Sequence, residues 1–101
     1  MLVAGPGTPV VPGATRRVDI ATARDLELAL ADCAPDADVV VMAAAVADFR
    51  PRARIDGKLS RRAAAGDVTL ELAPVPDLLA GLGQRRRGPL PYLVGFAAET
   101  L

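Results

Sequence analysis

The order of apolar runs and helix-spaced segments predicts an α/β fold, with a parallel sheet and helices packed on its faces. Three observations predict it. Val39-Val40-Val41-Met42-Ala43-Ala44-Ala45 is an apolar run without polar alternation that ends abruptly in Asp48, Phe49 and Arg50. That is how a strand covered on both faces delivers the following loop to a site. The stretch from Tyr92 to Thr100 repeats the trend from apolar to small to acidic. Before the first run, Leu26, Ala29, Leu30 and Cys33 recur at the spacing of one helix face.

Residues 1–4 read as the end of a strand, and Gly5-Pro6-Gly7-Thr8-Pro9 with Pro12-Gly13 as a rigid, turn-rich connection. Arg17 to Ala21 reads as a short strand in which Val18 and Ile20 alternate with charge. Thr22 is placed to cap the next helix, and Asp25, three residues on, completes an approximate capping box. Arg24, Glu27 and Asp32 then face water, Cys33 is a small core residue, and Pro35-Asp36 stops the helix.

Asp38 to Ala44 forms the central strand. Residues 47–66 show no apolar periodicity and are expected to be a long loop, mobile over about 50–66; a loop of that length is commonly functional. Val68, Leu70 and Leu72 alternate with Thr69 and Glu71 as in a half-exposed strand. Pro76 suits the first helical position and Asp77 complements a positive helix start ahead of Leu78-Leu79-Ala80-Gly81-Leu82. Gly88-Pro89 closes that helix, and Pro91 to Phe96 is the last strand.

A length of 101 residues allows one domain at most. Hydrophobic residues make up 51% of it, but Phe49, Tyr92 and Phe96 are the only aromatics, so the core is built from Ala, Val and Leu and stability is expected to be marginal. Twelve basic and twelve acidic residues cancel, so no overall field favours nucleic acid or an anionic membrane. The charge is nonetheless uneven. Arg50, Arg52, Arg54, Lys58, Arg61 and Arg62 face only Asp56 within their segment, and Arg85-Arg86-Arg87 forms a second cluster, which points to a local anion site. Cys33 is alone and histidine is missing, which excludes an internal disulfide and a Cys or His metal centre and fits a reducing cytoplasm. No apolar run reaches the ~20 residues of a membrane span, so a soluble, cytoplasmic protein is expected.

In a parallel α/β sheet, ligands bind beyond the carboxyl ends of the strands. The loops after Ala45, Leu72 and Phe96 then gather Asp48, Lys58, Asp77, Phe96 and Glu99. Such a set suits a nucleotide: a lysine or helix start meets phosphate, a carboxylate meets ribose or Mg²⁺, and an aromatic borders the base. Each residue also has a plainer role. Asp48 can cap a turn and pair with Arg50, Lys58 can be a solvated loop charge, Asp77 a helix-start acid and Phe96 a core residue. Gly5-Pro6-Gly7-Thr8 lacks the lysine and spacing of a phosphate loop and reads as a turn. Without histidine no Ser-His-Asp or Cys-His arrangement exists, leaving reactions driven by positioning and charge stabilisation.

The ordered set Val3-Ala4-Gly5-Pro6, Val18-Asp19-Ile20 with Thr22-Ala23, Ala44-Ala45-Val46-Ala47-Asp48-Phe49-Arg50-Pro51, Lys58-Leu59, Pro76-Asp77-Leu78-Leu79 and Val94-Gly95-Phe96-Ala97-Ala98-Glu99-Thr100 resembles the phosphopantothenate-cysteine ligase domain. In bacteria that domain is usually the C-terminal half of a bifunctional coenzyme A biosynthesis protein, fused to a flavin-dependent decarboxylase. The resemblance runs along essentially the whole chain. It implies a Rossmann-like three-layer fold with a mostly parallel sheet, a homodimer, and 4'-phosphopantothenate, cysteine and CTP (or ATP) as substrates with Mg²⁺. FMN is implied only if a decarboxylase half is fused. Carried over by position, Asp48 binds the nucleotide, Lys58 contacts phosphates and stabilises acyl transfer, and Pro76, Asp77, Leu78 and Leu79 cradle the nucleotide. Phe96 lines its pocket, while Met42, Ala44 and Ala45 allow close backbone approach.

This sequence departs from the family pattern in places. The family's Lys-Ile-Lys-Lys is Lys58-Leu59-Ser60-Arg61 here, and Val75 replaces an Asn or Thr, removing an expected helix cap. The family's glycine-rich Thr-Arg-Glu loop, its Ser-Ser-Gly-Lys segment and the lysines after Phe-Ala-Ala-Glu-Thr have no counterpart in residues 1–101. The chain is therefore expected to be an incomplete ligase domain, opening at the family's second strand and inactive as an isolated fragment. The competing expectation is a non-catalytic nucleotide-binding or dimerisation module on the same fold. A generic dinucleotide-binding oxidoreductase lacks support, because no Gly-x-Gly-x-x-Gly is present.

Overall fold

The computed structural model describes residues 1–100. The chain divides into two compact units, one formed by Met1–Val46 with the chain from Asp77 onward, the other by Ala47–Pro76. In the first unit, β1 (Leu2–Ala4) pairs in parallel with β2 (Arg17–Asp19), and β3 (Val39–Met42) pairs in parallel with β6 (Tyr92–Gly95). Parallel neighbours need a crossover between them. Helix α1 (Ala23–Cys33) connects β2 to β3, and helix α3 (Leu78–Arg85) precedes β6. The fold is thus mixed α/β with parallel strand pairs.

Between β1 and β2 the chain folds back over a turn held by two side chains, Thr8 and Arg17. Thr8 donates from its amide and hydroxyl to the Gly5 carbonyl. Arg17 then donates from its guanidinium to the Pro9 carbonyl at 2.7 Å and the Thr8 carbonyl at 2.9 Å, while Nε meets Asp19 at 2.9 Å. Helix α1 starts as its sequence dictates. The Thr22 hydroxyl accepts from the Asp25 amide, and the Asp25 carboxylate accepts from the Thr22 and Ala21 amides. These contacts hold the Asp25 carboxyl below its ordinary pKa, chiefly through the Ala21 and Thr22 amides. Helix α1 ends at Cys33 and tightens into a 3₁₀ turn, Ala34–Asp36, that takes in Pro35.

The core gathers Leu26, Leu30 and Ala34 with Leu78 and Leu82, and Val3, Ile20, Val40, Met42, Val46 and Leu93 pack against it. It is aliphatic throughout, as the composition requires. Helix α1 presents Leu26 and Leu30 one turn apart and α3 presents Leu78 and Leu82 in the same way. Cys33 is only half-buried, at the margin of this core; burial first and the neighbouring Asp32 second raise its thiol pKa.

The second unit contains β4 (Phe49–Pro51) and β5 (Leu72–Pro74), paired antiparallel with Phe49 opposite Pro74 and Pro51 opposite Leu72. Ser60 caps a single helical turn, α2 (Arg61–Ala64), by accepting from the Ala63 amide. Residues 52–59 are irregular, but 47–66 is not loop throughout, because a strand and this turn lie within it. The strand expected at Val68–Leu72 begins only at Leu72, since β4 is three residues long and gives the earlier residues no partner. Both prolines sit at strand ends, where a missing donor disturbs a two-stranded ladder least.

Candidate functional site

Strands β3 and β6 run in parallel with Met42 opposite Gly95, so they end side by side. Met42 is half-buried at that end; Ala44, Ala45 and Phe96 follow it, all exposed, Phe96 at 70%. The register thus gathers the two sequence runs at one sheet edge, as expected from their shared trend toward small residues. Helix α3 reaches the same place. The Leu79 side chain lies in van der Waals conflict with any Cβ built on Gly95, so only glycine admits this approach without displacing it.

Helix α3 begins two residues later than a first helical position at Pro76 suggests. Asp77 is the cap, its carboxylate accepting from the Ala80 amide at 2.9 Å, and Pro76 lies outside the helix. The expected loss of a cap at Val75 does not occur, because Val75 lies upstream of the capping position and Asp77 fills it. Leu78 is 5% exposed and belongs to the core. Its side chain anchors the helix, leaving its backbone amide, with that of Leu79, as the group available at the helix start. The Asp77 carboxylate makes this tip an acceptor for hydroxyl and amine donors.

In the second unit Asp48 is exposed, and its backbone carbonyl accepts from the Val75 amide at 2.7 Å, extending the β4–β5 pairing by one bond. Lys58 is exposed and has no hydrogen bond or ion pair among the described residues. Arg52 is 4.0 Å from Glu71 across the strand pair, a solvent-screened contact. Asp48, Lys58 and Pro76 belong to this unit; Met42, Ala44, Ala45, Asp77, Leu78, Leu79 and Phe96 belong to the first. Gly95 escaped the sequence reading of the site. The signal for it was a glycine at the end of an otherwise β-branched and aromatic strand.

Among the described residues no three acidic or cysteine side chains converge to hold a metal ion. None of the described helices is long and apolar enough to cross a membrane.

An α/β domain whose parallel strands end together beside a capped helix start is the class that places ligands at strand carboxyl ends. The chain belongs to the DNA/pantothenate metabolism flavoprotein C-terminal domain family, whose pattern matches residues 1–101. It is 43% identical over 104 residues to the coenzyme A biosynthesis bifunctional protein CoaBC of Mycobacterium tuberculosis (strain ATCC 25618 / H37Rv), covering 98% of this chain and 25% of that protein. The corresponding protein of Escherichia coli (strain K12) is 36% identical over 100 residues, and that of Vibrio vulnificus (strain YJ016) 32% over 99 residues; each match covers 98% of this chain and 24% of the relative. The chain thus spans about a quarter of the length of the relatives it matches.

Proposed function

We propose that this chain is the central part of a ligase domain that joins 4'-phosphopantothenate to cysteine in coenzyme A biosynthesis, on a Rossmann-like three-layer fold. The observation that carries the reading is the joining of the two small-residue strand ends, Met42–Ala45 and Gly95–Phe96, beside the start of α3. It sits in a chain that matches about a quarter of relatives named as coenzyme A biosynthesis bifunctional proteins.

In the proposed reaction a carboxylate oxygen of 4'-phosphopantothenate attacks the α-phosphorus of CTP. The bond to the β-phosphate breaks and pyrophosphate leaves, giving an acyl-cytidylate. The cysteine amine then attacks the acyl carbon, losing a proton as the amide forms and CMP departs. The charge that moves is on phosphate oxygens, so a flexible, unpaired ammonium such as Lys58 is suited to follow it. Asp77 accepts from ribose or base donors, Asp48 supports the nucleotide in the same way, and Phe96 offers an exposed ring for the base. Ala44 and Ala45 leave room for nucleotide against the backbone. CTP is preferred to ATP on the resemblance, Mg²⁺ enters with the triphosphate, and the working assembly is a homodimer in the cytoplasm. FMN belongs to a decarboxylase half where one is fused.

The test uses the chain within its full-length reading frame, supplied with α-labelled CTP and 4'-phosphopantothenate but no cysteine. A labelled acyl-cytidylate that is converted to CMP on adding cysteine is the expected result. The second reading, a non-catalytic module that binds nucleotide or dimerises, is favoured by Ser60, which stands where the family usually has a cation and caps α2 instead. CTP binding with no labelled intermediate would favour that second reading and overturn the first.

A further inference from the structure

Ser60 is the one serine of the chain, and it lies between Gly57 and Gly66 in a segment that holds Lys58, Arg61 and Arg62 and no acid. Ser60 is half-buried and the three cations are exposed. The Ser60 hydroxyl oxygen accepts from the Ala63 amide at 3.2 Å, but its proton is donated to nothing among the described residues. Lys58, Arg61 and Arg62 likewise have no side-chain hydrogen bond or ion pair among those residues. The other hydroxyls of the chain stand differently. Thr15 also precedes two arginines, but both are engaged: Arg16 lies 3.6 Å from Asp32, and Arg17 holds Asp19 and the Thr8 and Pro9 carbonyls. The Thr8 hydroxyl donates to Gly5, and that of Thr22 accepts from Asp25 within the α1 cap. Thr69 and Thr100 have only acids as charged residues within two positions. Ser60 is thus the hydroxyl that stands free beside free cations. No side chain of its unit is buried among the described residues, so the segment can be drawn out to meet an enzyme at little cost.

We propose that Ser60 is a phosphorylation site, the substrate of a kinase that selects cation-flanked hydroxyls, and that its phosphate gathers Lys58, Arg61 and Arg62 into one ion-paired cluster. In the transfer the Ser60 oxygen attacks the γ-phosphorus of ATP and the bond from that phosphorus to the bridging oxygen of the β-phosphate breaks. ADP leaves, and the hydroxyl proton passes to the kinase's base. Phosphoserine carries a charge of about −2 and three strong acceptor oxygens, where Ser60 offers one neutral oxygen. The three cations break no existing pair in turning to it, so nothing opposes the new charge-assisted bonds except the ordering of the side chains. The same cations fit the segment to the kinase, whose complementary surface carries acids. Lys58 is also the ammonium that the ligase reading gives to the CTP phosphates, so a phosphate on Ser60 competes with nucleotide for it. That consequence rests on the ligase reading, whereas the modification itself does not.

The test treats the full-length product with ATP labelled at the γ-phosphate and the catalytic domain of a serine/threonine kinase selective for cation-flanked sites. Label on Ser60, absent in Ser60→Ala and restored on Thr in Ser60→Thr, is the expected result. Label confined to the threonines of the unsubstituted chain, or none at all, would overturn the site. Phosphorus NMR of the modified protein then reads the second ionisation of the phosphate. Its pKa is expected below the ordinary value of about 6, and to return toward that value in about 1 M salt, where ion pairs are screened. An ordinary, salt-independent value would overturn the gathering of the cations. Neither readout involves CTP. With CTP and 4'-phosphopantothenate supplied, the modified protein is expected to form acyl-cytidylate roughly tenfold more slowly than the unmodified one. Equal rates would overturn the competition for Lys58, while absence of acyl-cytidylate from both forms would sink the ligase reading and leave the site at Ser60 standing on the first two measurements.

Discussion

Leu79, in the first turn of α3, fills the volume that a side chain on Gly95 would need. The contact joins the start of a helix to the end of β6, two elements that carry proposed nucleotide contacts. Replacing Gly95 by Ala forces the end of the Leu79 side chain to rotate away. The expected destabilisation is about 1 kcal/mol, typical of mild overpacking. In a Leu79→Ala background the same change is expected to be nearly neutral. Urea unfolding of the four variants measures the coupling, and additive effects would refute the packing account.

Helix α1 depends on its reciprocal cap. Thr22→Ala removes the acceptor for the Asp25 amide and is expected to cost about 1 kcal/mol. The magnitude is checked by chemical denaturation at pH 7.

Asp25 adds a pH dependence of known sign. Its folded-state pKa is lowered from 3.8 by the Ala21 and Thr22 amides, so its contribution is complete above about pH 4 and is lost as pH falls through the lower folded value. Asp25→Asn is therefore expected to destabilise the protein at pH 7 by an amount that shrinks as the pH falls and the carboxylate takes up its proton. Stability curves of the two proteins should converge in acid; a constant gap would show that the carboxylate charge is not involved.

Arg17 is the clasp of the first connection, with bonds to the Thr8 and Pro9 carbonyls. Arg17→Met is expected to free that loop and speed thermolysin cleavage at Val10 and Val11, already 88% and 46% exposed, severalfold. Cleavage at the unchanged rate would assign the loop's order to its prolines.

Under the ligase reading, Lys58→Gln in the full-length enzyme lowers turnover by about a hundredfold, the usual effect of losing a donor to developing charge. CTP affinity should change far less. Single-turnover formation of the acyl-cytidylate separates the two, and equal losses in both would make Lys58 a binding residue alone.

Local chemistry made much of the fold legible. Thr22 and Asp25 announced the start of α1, and the unbroken Val39–Val41 run announced β3, because both signals depend on neighbours within a few residues. The β4–β5 pair was not legible. Pro51 and Pro74 read as breakers, and Phe49 meets Pro74 only through a pairing 25 positions away in the chain. Asp77, rather than Pro76, began α3, because a side chain able to accept from the Ala80 amide outweighs a preset backbone angle. Within the site, the meeting of Met42 with Gly95 followed from two strands of like pattern. The need for glycine at 95 came from the approach of Leu79, which no local signal carries.

The unit Ala47–Pro76 has no buried side chain among its described residues, while Phe49, Ile55, Leu59, Val68, Leu70 and Leu72 are all largely open to water. An element of this kind has almost no cohesive energy to lose when it rearranges. Its shape can be changed by whatever it meets at little energetic expense, and substitutions within it should leave the melting temperature nearly untouched while altering association.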